Sequence, residues 1–96
     1  MKLRKLIDSR EKWTKGVGAR NKRGRACPPD SVWATKWCLD GGLEVCYRRG
    51  DGFAVAREAV ESACDRLYGT RNYISWQDSR TVDWLQVDRL LNEAGV

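Results

Sequence analysis

Histidine is absent from this 96-residue chain. That removes the commonest general base and every Ser/His or Cys/His catalytic arrangement. No apolar run approaches the roughly 18 residues of a membrane-spanning helix. The opening Met1-Lys2-Leu3-Arg4-Lys5 carries the charge of a signal-peptide start, but Asp8, Ser9, Arg10, Glu11 and Lys12 stand where its apolar stretch should follow. The expected compartment is the cytoplasm, or the host cytoplasm for a phage-encoded chain. Phosphate-loop chemistry is missing too: Gly16-x-Gly18 lacks the third glycine and the strand-to-helix context.

Cysteine is present four times, but no two of Cys27, Cys38, Cys46 and Cys64 have the short spacing of zinc ligands. They read as free thiols in the core, and neither metal nor cofactor is expected. Carboxylate pairs occur at Asp40 with Glu44 and at Asp78 with Asp83, and solvated charge explains them as well as catalysis does. An enzyme would need a concave pocket grouping Asp40, Glu44 and Arg80. The expectation is a protein that is not an enzyme.

Apolar residues make up 42% of the chain and include five Trp, enough large side chains to anchor one core. Residues 1–96 therefore read as a single domain. Charge is divided unevenly. Residues 1–25 hold ten Lys or Arg against Asp8 and Glu11, a net of +8; residues 26–96 carry a net of −3. The chain has a basic head and a mildly acidic body.

Periodicity predicts helices. Leu3, Leu6, Ile7 and Trp13 share one face of a helix over 2–15, with Gly16 and Gly18 ending it. Asn21-Lys22-Arg23-Gly24 has turn chemistry, which suggests a small basic hairpin, or an irregular basic loop. Pro28-Pro29-Asp30-Ser31 is a helix-start signal, and a helix from there to about Tyr47 would be apolar on nearly all sides, with Trp33 and Trp37 in the core. Gly41-Gly42 within it implies close approach by a neighbouring element. Asp51 can cap a third helix over 52–68, closed by Gly69. A connector over 70–78 would tuck Tyr73, Ile74 and Trp76 over the core, and Asp78 or Ser79 would open a last helix over 80–94. The expected fold is all-α, a compact four-helix domain with a short basic hairpin or loop between helices 1 and 2.

Several stretches resemble a family of small bacterial and phage proteins known as domain of unknown function 6197. The carrying residues are Trp13, Thr14 and Gly16; Ala19, Arg20 and Gly24; Trp37, Cys38 and Gly41; and Trp76, Asp78, Arg80 and Thr81. Gln77 stands where the family usually has Asn, and the gap from Trp76 to Arg80 is shortened. The resemblance implies no activity, and it points to a phage or prophage origin.

The basic head is the one functional signal above background. Lys5, Lys12, Lys15, Arg20, Lys22, Arg23 and Arg25 form the expected binding surface. Such clustering suits an acidic host protein or a nucleoprotein complex, or else DNA or RNA bound directly. The leading expectation is a phage or prophage accessory protein that modulates a host machine, counter-defence included, and the alternative is a nucleic-acid binder. No membrane partner is expected.

Overall fold

A computed structural model describes residues 1–48, 50 and 52–96. It contains five α-helices and a three-stranded antiparallel sheet among the described residues. The all-α four-helix expectation is therefore corrected to a mixed α/β fold. The helices are α1 (Leu3–Leu6), α2 (Leu39–Tyr47), α3 (Phe53–Tyr68), α4 (Tyr73–Asp78) and α5 (Trp84–Ala94); the strands are β1 (Ala19–Asn21), β2 (Ala26–Cys27) and β3 (Ala34–Trp37), in the order β2-β1-β3.

The sheet arises where helical spacing is misleading. Trp33, Ala34, Trp37 and Cys38 can be drawn on one helical face. Trp33, Thr35 and Trp37 also alternate at the strand period, and the stretch is rich in β-branched and aromatic residues. Pairing with β1 decides between the two. Ala19 lies opposite Trp37, Arg20 opposite Lys36 and Asn21 opposite Ala34, so Thr35 is an extra bulged residue. Pro28–Ser31 forms turns instead of a cap, with Ser31 N donating to the Pro28 carbonyl and Ala34 N to that of Ser31. The cap of α2 is Cys38, whose sulfur accepts from Gly41 N at 3.2 Å.

The first helix is also shorter than its apolar stripe suggests. It stops at Leu6, and Ser9 is fully extended ahead of a 3-10 turn at Arg10–Lys12. Asp and Ser favour such breaks because their side chains compete for backbone partners. Trp13 then bridges to Trp37 at the sheet, and Thr14 N donates to the Trp37 carbonyl. Trp13 therefore ends in extended backbone, not in a helix.

The later elements keep closer to expectation. α3 ends on Gly69, which is left-handed at φ 76°. Its proposed Asp51 cap lies outside the described residues. The 70–78 connector is the helix α4, capped by Asn72, whose side-chain oxygen accepts from Ser75 N. α5 begins later than expected, behind an Asp83–Gln86 capping box.

The core lies where α1, α2, α3 and α5 meet. Leu3, Ile7, Leu39, Leu43, Val60, Ala63, Cys64, Val87 and Leu90 have no exposed surface. α2 is the hub, packing on α1, α3, α4 and β3. Its two glycines permit this. A Cβ on Gly41 would collide with the Gly18 carbonyl, and one on Gly42 would lie 2.5 Å from Leu3 Cδ1. No helix among the described residues is long and apolar enough to cross a membrane.

Candidate binding groove at the hairpin tip

β1 and β2 form the basic hairpin. Ala19 pairs with Cys27 and Arg20 with Ala26. Asn21 organises the tip: its Oδ1 accepts from Arg23 N at 2.9 Å and from Arg25 N at 3.2 Å. Its backbone carbonyl accepts from Gly24 N, and its N–H donates to the Arg25 carbonyl. Gly24 adopts φ 80°, which glycine reaches at no steric cost.

The seven cations of the basic head divide by what holds them. Arg20 is internal scaffolding. Its guanidinium donates to Thr14 Oγ1 at 2.9 Å, to the Gly24 carbonyl at 2.9 Å and to the Lys15 carbonyl at 3.3 Å. Lys15 reaches away from the hairpin. Its Nζ donates to the carbonyls of Ser79 at 2.7 Å and Val82 at 2.6 Å, and lies 5.4 Å from the Trp13 ring centroid. Lys12 pairs with Asp8 at 3.5 Å, four residues earlier and across the break after α1. Lys5 is exposed on α1. Lys22, Arg23 and Arg25 are exposed at the tip, and their side chains make no ion pair among the described residues.

Those three tip cations line one concavity of about 560 Å³ together with Val32, Trp33 and Thr35. Trp33 is 72% exposed and Val32 89%. Reading Trp33 as core is therefore corrected: it stands in solvent beside the basic tip. Two local features put it there. Ser31 Oγ accepts from Trp33 N at 3.1 Å, which tightens the turn. The Thr35 bulge then bends the start of β3, and Thr35 Oγ1 reaches the Arg20 carbonyl at 3.4 Å. Charge clustering alone did not point to Val32 and Trp33. The signal that could have found them is the alternation of Trp33, Thr35 and Trp37, which argues for a strand with an exposed side.

A second, smaller cleft of about 230 Å³ lies between the Gly16–Gly18 segment before β1, α2 and α4. It gathers residues that carried the family resemblance, Gly16, Cys38, Gly41 and Asp78, together with Asp40, Glu44 and Gln77. Arg80 is not among them. Gln77 is 1% exposed. Its Oε1 accepts from Leu39 N at 3.1 Å and Trp13 Nε1 at 3.3 Å, while its Nε2 donates to Asp78 Oδ1 at 3.3 Å. Asp78 Oδ1 also accepts from Gly16 N at 3.0 Å. This network ties the first segment to α2 and α4. Tyr73 donates its hydroxyl to Asp40 Oδ1 at 2.7 Å, and burial pushes its ionisation far above the usual phenol range. Burial also raises the Cys38 thiol, outweighing the Gly41 N–H that favours its thiolate. Cys38 is therefore a neutral cap, not an activated nucleophile.

All four cysteines are free, Cys38 and Cys64 buried and the other two half-buried. No group of three or more metal-binding side chains converges among the described residues.

The described residues form a small mixed α/β domain whose surface includes a basic, aromatic groove and a cleft holding Asp40, Glu44 and Asp78. The chain belongs to the family of unknown function DUF6197, whose model matches residues 2–95. No curated protein and no solved structure matches it.

Proposed function

We propose that this protein is a non-enzymatic binding module that engages an anionic partner through the hairpin-tip groove. In the setting suggested by its family resemblance, it acts as a phage or prophage accessory protein on a host nucleoprotein machine in the cytoplasm, with counter-defence as one use. One observation carries the reading: Lys22, Arg23 and Arg25 surround an exposed tryptophan in a single concavity and pair with no described carboxylate. Unpaired cations keep their full potential for an incoming anion, and a projecting indole supplies apolar contact area at low entropic cost. The contact surface is thus narrower than the whole basic head. Lys15 and Arg20 hold the fold, and Lys5 and Lys12 lie away from the groove lining.

The test is capture from bacterial lysate by wild type and by a Lys22→Glu, Arg23→Glu, Arg25→Glu triple variant, with Lys5→Glu, Lys12→Glu as the charge control. The partner so identified is then titrated as a purified component. Binding lost in the triple variant and kept in the control is the expected result. Equal binding by all three proteins would overturn the assignment of the groove.

A further inference from the structure

We propose that the groove receives single-stranded nucleic acid, with one base stacked on Trp33 and the flanking phosphates held by Lys22, Arg23 and Arg25. This rests on the groove being the contact surface, and it names the chemistry of the partner. Single-strand binding without sequence preference combines a positive groove that tracks the backbone with an aromatic platform for a base. Both parts are present within one concavity. The centre of the groove holds cations and an indole, and no acidic side chain lines it. Trp and Arg also serve protein interfaces, but three cations within one lining with no carboxylate among them favour a partner that carries closely spaced anions. A duplex keeps its bases stacked and leaves no face for the indole. Val32 and Trp33 are exposed enough to touch a lipid surface too, so anionic vesicles are one arm of the test.

The groove is also held in shape before any ligand arrives. Asn21 fixes the backbone of Arg23 and Arg25, and the Arg20 guanidinium ties Gly24 to the strand beneath. The backbone is thus ordered beforehand, and the remaining cost is that of fixing the exposed Lys22, Arg23 and Arg25 side chains. Arg20 is thus a positioning residue, behind the four residues that meet the ligand.

The experiment is fluorescence anisotropy of a short labelled oligothymidylate against a salt series. Parallel titrations use its duplex, polyglutamate and phosphatidylserine vesicles. Three phosphate contacts at about 0.7 each give a slope near −2 in log K against log salt. Trp33→Ala should weaken binding by roughly tenfold or more at an unchanged slope, because stacking is lost while phosphates are still held. Trp33→Phe should recover part of that loss. Arg23→Ala should flatten the slope by about 0.7. Because Trp33 is mostly exposed, the folded state survives its replacement, and circular dichroism checks this. If Trp33→Ala leaves affinity unchanged, or polyglutamate, vesicles or duplex bind as tightly as the single strand, the nucleic-acid inference is overturned while the groove remains the contact surface. If no polyanion binds the wild type, both readings fall.

Discussion

Gly41→Ala tests the packing on which the whole arrangement depends. In an ordinary helix the change would stabilise by about 1 kcal/mol. Here the new methyl would meet backbone. The Gly18 carbonyl carbon would lie 2.8 Å away and its oxygen closer still. That oxygen accepts from Cys38 N at 3.1 Å, joining the chain just before β1 to the start of α2. Relief requires α2 or the segment before β1 to move. Overpacking of this kind costs roughly 1–3 kcal/mol or more, and weakening the Cys38 hydrogen bond adds about 1 kcal/mol. After the propensity gain, the net loss is about 1–3 kcal/mol. At roughly 4–8 °C per kcal/mol for a domain of this size, Tm should fall by about 10 °C. Gly42→Ala is the internal control. Its methyl would meet only side-chain ends, Leu3 Cδ1 at 2.5 Å and Ile7 Cδ1 at 3.0 Å. Side-chain ends yield more easily than backbone, even for the fully buried Leu3 and Ile7, so after the propensity gain the net cost should stay within about 1 kcal/mol. Urea melts followed by tryptophan fluorescence and circular dichroism would measure both. A Gly41→Ala protein as stable as wild type, or no worse than Gly42→Ala, would refute the close-approach account of this glycine pair.

Gln77→Leu strands the buried Leu39 N and the half-buried Trp13 Nε1 without their acceptor; at about 1–3 kcal/mol for the first and about 1 kcal/mol for the second, the loss should be roughly 2–4 kcal/mol in a urea melt. Lys15→Met removes the donor from the Ser79 and Val82 carbonyls; it should cost about 1–2 kcal/mol in stability yet leave polyanion affinity unchanged, which separates scaffold cations from groove cations. Cys64 has a thiol pushed from 9.0 up to about 11 by burial. The folded chain therefore keeps that proton where the unfolded chain releases it, so stability should decline as pH rises from 9 to 11. The decline should be shallower in Cys64→Ala, as read from urea midpoints across that range; equal slopes would refute the burial account.

The residues by themselves determined a good part of this molecule. The basic hairpin follows from the turn chemistry of Asn21 and Gly24, α3 from a long amphipathic stripe closed by Gly69, and the close approach at Gly41-Gly42 from glycines placed in a helix. Local chemistry suffices there, because the signal and the structure it causes lie within one turn or one helix. Tertiary structure decided the rest. Val32 to Cys38 fits a helix face and a strand about equally well, and only the β1 edge, supplied by residues some fifteen positions earlier, settles it as β3. That choice turns Trp33 from core into solvent. The fates of Lys15 and Arg20 were equally illegible, since their acceptors are backbone carbonyls and a hydroxyl placed by the fold, whereas Lys22, Arg23 and Arg25 stay exposed because a tight turn leaves their side chains nowhere else to go. Charge and turn propensity are local properties; which cations a fold consumes and which it leaves to solvent depends on contacts between segments far apart in the chain.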